Sequence, residues 1–275
     1  MSNGIFINPG TEKQIQENGF AIIPFANAAE LDELKQFYAL LPAAPAKGTQ
    51  VTMFNPSYNY RKMVDEKIKQ VCAAKAAALF NNYEVLYTNF MVKEPGPEGD
   101  FPVHQDWTYV DETQHTSYAL WIPTEDVDAN NGALHVVKGS HKIITALRGP
   151  HVHEPFRNIS AVLKEKYSFP VNLKAGEALV WDHRLVHFSN PNTSNKARVA
   201  FTLIMVPKGV EVMHCFGIHE TNGTVVEKYR AGTEFYMQYN ISQRPFFATL
   251  LETVEQPLVN FGEGELKELL ATVLA

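Results

Sequence analysis

The chain is short of several things. It has only two cysteines in 275 residues, Cys72 and Cys215, and they lie far apart. A disulfide framework is therefore not expected, and a reducing, cytoplasmic setting is. Its longest apolar runs fall far short of a membrane span, so no membrane partner is expected. The opening "MSNGIFINPG" shows neither a charged n-region nor an apolar h-region, so no signal peptide is expected either. Basic residues number 24 against 30 acidic ones, a formal net charge of −6, and the two signs are interspersed. No basic stripe offers nucleic acid a footprint. There is no internal repeat and no low-complexity segment. What is present is a globular composition, 45% apolar and 20% charged, enough for a sizeable core.

The order of the chain is helices first, strands afterwards. "TEKQIQENGFAIIPF" reads as a helix with Thr11 as N-cap, closed near Asn18-Gly19 and followed by a short strand, "FAIIPF". "NAAELDELKQFYALL" spaces Leu31, Leu34, Phe37, Tyr38 and Leu41 as a helix does, and "YRKMVDEKIKQVCAAKAAALF" does so with Met63, Ile68, Val71 and Leu79. From residue 84 the pattern changes. "YEVLYTNFMVK", "TSYALWIP", "GALHVV", "PVNL", "EALVWD" and "ARVAFTLIMVP" are short runs rich in β-branched and aromatic residues, separated by Gly, Pro and Asn turn signals. Such runs predict a sandwich or barrel with a helical N-terminal layer, in one domain. Asn131-Gly132 reads as a hairpin turn. The stretch 143–169 is long and weakly patterned, which suggests a lid, and Phe235, Tyr236 and Tyr239 are expected to close over the substrate with it.

The chemistry starts from "FPVHQDWTYV". At a strand end, residues i and i+2 share a face, so His104 and Asp106 can reach one ion. A third ligand is needed. Among the histidines that follow, the segment "WDHRLVHFSNPNTSNKARVAF" stands out. If "NPNTSN" is a hairpin loop centred between Asn192 and Thr193, His187 sits across from Arg198. His183 shares the face of His187 only if the strand is unbroken, and Arg184-Leu185 suggests a bend. Two His and one carboxylate with open positions is the donor set of non-haem Fe(II) oxygen chemistry. A neighbouring Arg can fork a carboxylate bidentately, which suits 2-oxoglutarate.

At this point a resemblance carries further than spacing. His104-Gln105-Asp106, Asn131-Gly132-Ala133-Leu134 leading to Gly139-Ser140-His141-Lys142, and His187-Phe188-Ser189 followed by Asn192 and Arg198 resemble the phytanoyl-CoA dioxygenase-like family of Fe(II)/2-oxoglutarate oxygenases. The opening "NGFAIIPF" is similar too. The resemblance implies a mainly β fold with a double-stranded β-helix (jelly roll, cupin-like) core. Residues 1–83 would be mostly helical support, 84–220 the jelly roll and 221–275 a C-terminal extension of the same 1–275 domain. It implies His104, Asp106 and His187 as iron ligands, Arg198 as the 2-oxoglutarate clamp and Ser189 as its partner. Gln105, Trp121 and Asn89 match positions that line such sites. Fe(II), 2-oxoglutarate as cosubstrate and O2 are the implied cofactors. The implied reaction is hydroxylation of an unactivated C–H with release of succinate and CO2. Related halogenases carry a small residue where Asp106 stands, so the carboxylate favours hydroxylation.

Other readings stay in view. "HRLVH" spaces His183 and His187 as a zinc hydrolase helix would, but Arg184 stands where that pattern needs Glu. His183 is expected to be structural, His141 to order its loop, and Lys93 to be exposed. A jelly-roll binding module without turnover is the alternative from another class. The expected partner is a small-molecule substrate, amino-acid-like or another polar metabolite.

Overall fold

The computed structural model describes residues 4–42, 47–143, 146–240 and 243–274. Helix α1 (Pro9–Asn18) is capped by Asn8, whose side chain accepts from the backbone N–H groups of Gly10 and Thr11. Asn8 takes the role expected of Thr11, because Pro9 fits the first turn, where no N–H is needed. Gly19 closes the helix at φ 87°, the left-handed geometry that favours glycine, and delivers the chain into β1 (Phe20–Pro24). Helix α2 (Ala28–Ala39) starts with a capping box, Asn27 and Glu30 each bonding the other's backbone N–H. After β2 (Thr49–Val51), α3 (Tyr58–Ala77) buries Val64, Ile68, Cys72 and Ala76, one i, i+4 stripe. Met63, expected on that stripe, is 40% exposed.

The strands follow: β3 (Tyr83–Lys93), β4 (Phe101–His104), β5 (Tyr118–Pro123), β6 (Leu134–Val136), β7 (Phe169–Pro170), β8 (Glu177–Asp182), β9 (His187–Ser189) and β10 (Arg198–Pro207). They form two sheets, one ordered β1-β8-β5-β10-β3-β2 and the other β4-β9-β6-β7, with all pairs antiparallel. The molecule is thus mainly β with helices, as expected.

Side-chain alternation sorts the larger sheet into two faces. On β10, Phe201, Leu203 and Met205 pack against Leu34, Val64 and Ile68 of the helices. Ala200, Ile204 and Val206 turn inward to a second core shared with Leu134 and Val136 of the smaller sheet. On β3 this parity is reset once. The ladder to β10 slips so that Ile204 faces Tyr87 and Met205 faces Val85, leaving Leu86 as an extra residue. Tyr83 and Val85 therefore face the helices before the bulge, and Phe90 and Val92 after it. Tyr87, Asn89 and Met91 face the interior as a result.

The remaining chain backs this core. Residues Ile143, Phe156, Ile159 and Leu163 cover the outer face of the smaller sheet with Val103, Val186 and Phe188. Ile159 and Leu163 flank the single turn α4 (Ser160–Val162), and Leu266 and Leu270 of α6 (Glu263–Leu274) join the cluster. A third sheet, β11 (Met213–Gly217), β12 (Val225–Arg230) and β13 (Leu250–Glu255), crosses the expected boundary at residue 220. Helix α5 (Thr233–Gln238) lies between its last two strands. Among the described residues no helix is long and apolar enough to cross a membrane.

Asn131-Gly132 is not the expected two-residue hairpin turn. Asp128 caps a short 3-10 turn ended by Gly132 at φ 81°, and the strands on either side, β5 and β6, belong to different sheets.

The face assignment has a direct test. Phe201→Ala empties a fully buried position and should cost about 3–5 kcal/mol in urea unfolding. Met63→Ala should stay within about 0.5 kcal/mol. A large loss at Met63 would mean the helix is rotated from the orientation described.

Candidate active site

Strand pairing builds the site. β4 and β9 run antiparallel with His104 directly opposite His187, and their rings lie 4.2 Å apart. Each ring is held at its Nδ1. That of His104 bonds the carbonyl of Pro102 at 2.8 Å, and that of His187 bonds the carbonyl of Leu185 at 2.9 Å. A carbonyl only accepts, so Nδ1 carries the hydrogen in both rings and Nε2 is the nitrogen left to ligate. Asp106 completes the group. Its backbone N–H donates to the carbonyl of His183 at 2.9 Å, which anchors the chain just beyond β4. Its Oδ2 accepts from the Trp181 indole at 2.7 Å. Its Oδ1 then faces His104 Nε2 at 3.7 Å and His187 Nε2 at 3.9 Å. One donor atom from each of the three lies within 4.8 Å of the others, close enough to share an ion.

Charge states suit a cation. Burial alone would raise the Asp106 carboxyl, but the histidines around it, His187 foremost, hold it below the usual carboxylate range. Burial, then the neighbouring His104, push the His187 imidazole down to about 4, so it is neutral and free to ligate at neutral pH. Burial lowers the His104 imidazole, but the Asp106 carboxylate beside it raises it on balance, so a cation binding there displaces a proton from His104. Two imidazoles and a carboxylate with open positions fit Fe(II). Of the described residues, these three are the candidate iron ligands.

A cavity of about 140 Å³ opens beside them, between the two sheets. Its inner wall is a row across the larger sheet. Trp121 on β5, Thr202 on β10 and Asn89 on β3 are register partners. Arg198 lies four residues before Thr202 on the same face, its guanidinium 4.8 Å from the Trp121 ring. Several polar atoms here are buried with no hydrogen-bond partner: Arg198 Nε and Nη1, Trp121 Nε1, Thr202 Oγ1 and Asn89 Oδ1. Arg198 is 2% exposed, and no ion pair is found for it among the described residues. Burial lowers its guanidinium to about 10, which still leaves it charged. Leaving that many groups unpaired costs stability unless a ligand satisfies them. A dicarboxylate can accept from the donors among them, Arg198, Trp121 and Thr202, though not donate to Asn89 Oδ1, and Ser189 lines the opposite wall. The residues present fit 2-oxoglutarate.

The route by which Arg198 reaches the site differs from the expected hairpin. β9 pairs with β4 and β6, whereas β10 pairs with β3 and β5, so Arg198 lies opposite Lys93 and not His187. The Asn-Pro-Asn segment is a crossover between sheets. Asn192 fixes it by donating from Nδ2 to the carbonyls of Lys93 at 2.9 Å and Lys196 at 2.7 Å. His187 and Arg198 therefore meet across the interior. Asp182, a conceivable partner for Arg198, instead binds Arg184 at 2.5 Å.

Other expectations are also corrected. Gln105 does not line the cavity. Because His104 and Asp106 share one face, Gln105 takes the other and donates to the Arg184 carbonyl. His183 is structural, bonding Ser117 Oγ at 2.7 Å, and a turn rather than a helix joins it to His187, which removes the zinc-hydrolase spacing. His141 lies beside Gly19 and bonds the Gln16 carbonyl, ordering its loop as expected. No described residue of 143–169 lines the cavity, and Ile144 and Thr145 lie outside the described residues. Phe235, Tyr236 and Tyr239 are buried around His214 and do not line the cavity; Tyr236 packs behind two residues that do, Tyr87 and Tyr109. The mouth is walled instead by Thr49, Val51, Met53, Phe54, Phe101 and Trp107. Sequence reading missed that rim because residues 49–54 form one short strand and one turn without a periodic signal. It also missed Trp181, although its parity with Leu179 in "EALVWD" places both on the interior face.

This fold and site define the class of non-haem Fe(II), 2-oxoglutarate-type oxygenase centres. A profile of the phytanoyl-CoA dioxygenase family (PhyH) matches residues 15–200, and the chain belongs to that family, whose members depend on Fe(II), 2-oxoglutarate and O2. A phytanoyl-CoA dioxygenase domain-containing protein 1 homolog of Dictyostelium discoideum is 32% identical over 112 residues, 38% of this chain and 40% of that protein. A phytanoyl-CoA dioxygenase of Arabidopsis thaliana is 31% identical over 125 residues, 44% of each. The matches thus span less than half the length of these relatives. Among solved structures, HygX from Streptomyces hygroscopicus, with nickel, 2-oxoglutarate and hygromycin B bound, aligns with TM-score 0.53 at 15% identity over 74% of this chain and 88% of its own. AviO1 from Streptomyces viridochromogenes aligns with TM-score 0.52 at 18% identity over 76% and 98%. At these identities the likeness is one of fold.

Removing any of the three donors should abolish one-to-one Fe(II) binding: His104→Ala, Asp106→Ala and His187→Ala in anaerobic iron titrations. His183→Ala should keep it. Trp181→Phe removes only the indole donor to Asp106 and should weaken iron roughly 10–100-fold. Iron retained by His187→Ala but lost in His183→Ala would show the wrong distal histidine.

Proposed function

We propose that this protein is a 2-oxoglutarate-dependent dioxygenase, built as one jelly-roll domain, that hydroxylates an unactivated C–H of a small molecule. The observation that carries the reading is the convergence of three iron-type donors on a cavity whose inner wall holds an unpaired Arg198. When bound, Fe(II) with 2-oxoglutarate and O2 supplies the oxidising power, with succinate and CO2 as by-products.

The rest is work for the chain's own residues. His104, His187 and Asp106 hold the metal, and Trp181 keeps one Asp106 oxygen turned toward it. Arg198 and Ser189 receive the far carboxylate, while Trp121, Thr202 and Asn89 line its path. The buried inner wall excludes water from the reacting centre. The rim suggests how substrate enters. Phe54 is 43% exposed with its ring 6.4 Å from that of Trp107, and Met53 and Met91 complete an apolar wall. Such walls grip an apolar segment, so the carbon presented to iron belongs to one. A polar or amino-acid-like head group, if present, stays at the mouth. The two cysteines are free and buried, in keeping with the cytoplasmic setting proposed.

The reading is tested by succinate release in a screen of small molecules with Fe(II) and 2-oxoglutarate. No succinate above the protein-free rate with any of them would leave an inert binding module. Arg198→Ala removes a charge-assisted hydrogen bond worth roughly 1.5–3 kcal/mol, so the 2-oxoglutarate requirement should rise on the order of 10- to 100-fold. Arg198→Lys should lose less, and iron affinity should change little in either. An unshifted 2-oxoglutarate titration would sink the clamp.

A further inference from the structure

Lys93 is the residue whose surroundings the proposed function leaves unexplained. It ends β3 opposite Arg198 and is fully buried, where an exposed lysine was expected. It does not line the cavity. Its Nζ lies behind Ser189, donating to Ser189 Oγ at 2.6 Å, to the Asn190 carbonyl at 2.6 Å and to the Ser189 carbonyl at 3.2 Å. An ammonium has three hydrogens, and all three are used.

That bookkeeping decides what Ser189 does. A hydroxyl has one hydrogen and accepts through its oxygen. Because Ser189 Oγ accepts from Lys93, its own hydrogen is free to point elsewhere, and Ser189 lines the cavity. The stem of Lys93 is housed to keep this contact. A Cβ at Gly132 would come 2.5 Å from Lys93 Cδ, and one at Gly99 would come 3.3 Å from Cγ. Asn192 Nδ2 holds the Lys93 carbonyl at 2.9 Å. The Asn-Gly, Ser189 and Asn192 elements singled out in the sequence thus meet at one side chain.

We propose that Lys93 is a positioning residue for 2-oxoglutarate, fixing Ser189 as a hydrogen-bond donor to the far carboxylate held by Arg198. The proposal rests on the clamp reading of Arg198 and Ser189. Electrostatics agree with it. Burial, and then the charge on Arg198, push the Lys93 ammonium down to about 7. A dicarboxylate arriving at Arg198 and Ser189 brings negative charge near Lys93 and favours its charged form, which is the form that orients Ser189.

The test is calorimetric titration of 2-oxoglutarate into the anaerobic Fe(II)-loaded protein, with melting curves alongside. Ser189→Ala and Lys93→Met should each raise the 2-oxoglutarate Kd roughly tenfold, with Fe(II) affinity unchanged. The double variant should be no weaker than the weaker single, since both remove one contact. Effects that multiply in the double would overturn the route through Ser189. An unchanged Kd in Lys93→Met with a lower melting temperature would leave Lys93 merely structural. Gly132→Ala provides a second variant if Lys93→Met does not fold. It crowds the Lys93 stem without lining the cavity and should raise the Kd several-fold, and an unchanged Kd there counts against the proposal. If Arg198→Ala and Ser189→Ala leave the Kd unmoved, the clamp reading itself fails, independently of Lys93.

Discussion

The antiparallel pairing of β4 with β9 is the constraint on which the site depends. It sets His104 against His187 at a ladder position, so two imidazoles face each other without help from any flexible loop. Two carbonyls, those of Pro102 and Leu185, then choose the tautomer by accepting from Nδ1. The third donor is tied to the same frame, because the Asp106 N–H bonds the His183 carbonyl and the Trp181 indole takes one carboxylate oxygen. The candidate metal ligands are thus oriented by backbone and by one aromatic donor before any ion binds, which lowers the ordering cost of binding.

The larger sheet contributes the opposite half, and it does so under electrostatic tension. Arg198 and Lys93 face each other across the β10–β3 ladder, both buried, and no carboxylate is found paired with either among the described residues. Lys93 is satisfied by neutral oxygens, while Arg198 leaves two nitrogens without partners. Charges so placed are costly to bury. Of the two, Arg198 is the one that lines the cavity with nitrogens left to pair, which suits an anionic ligand. The apolar faces on either side carry the stability that tolerates this cost. Helices α1 to α3 cover the larger sheet, and Ile143, Phe156, Ile159 and Leu163 with α6 cover the smaller one.

Much of this was legible in residue order. Short β-branched and aromatic runs between turn signals predicted β3, β5, β8 and β10, and 3.6-residue spacing predicted α2 and α3. Spacing singled out His104, Asp106, His187 and Arg198, the family resemblance assigned their roles and added Ser189, and the structure brings all five around one cavity. Strand parity even excludes Gln105, since its neighbours on both sides face inward. What went wrong was longer in range. Arg198 was placed beside His187 on one ladder because the chain between them looks like a hairpin loop, yet Asn192 turns it into a crossover. Lys93 was expected in water because lysine usually is, and only the stacking of Gly132, Ser189 and Asn190 around it makes a buried ammonium possible.

The sequence by itself determined the local geometry: which residues share a face, where helices are capped, and which donor atoms stand two residues apart at a strand end. Those depend on periodicity and turn chemistry, which act over a few residues. Only the tertiary structure decided which strand lies against which. It decided where the Leu86 bulge flips Asn89 and Lys93 inward, and that Thr49, Val51, Met53 and Phe54 line the cavity while no described residue of 143–169 does. Those outcomes depend on contacts between residues far apart in the chain, and a one-residue change of register exchanges every inward side chain for an outward one.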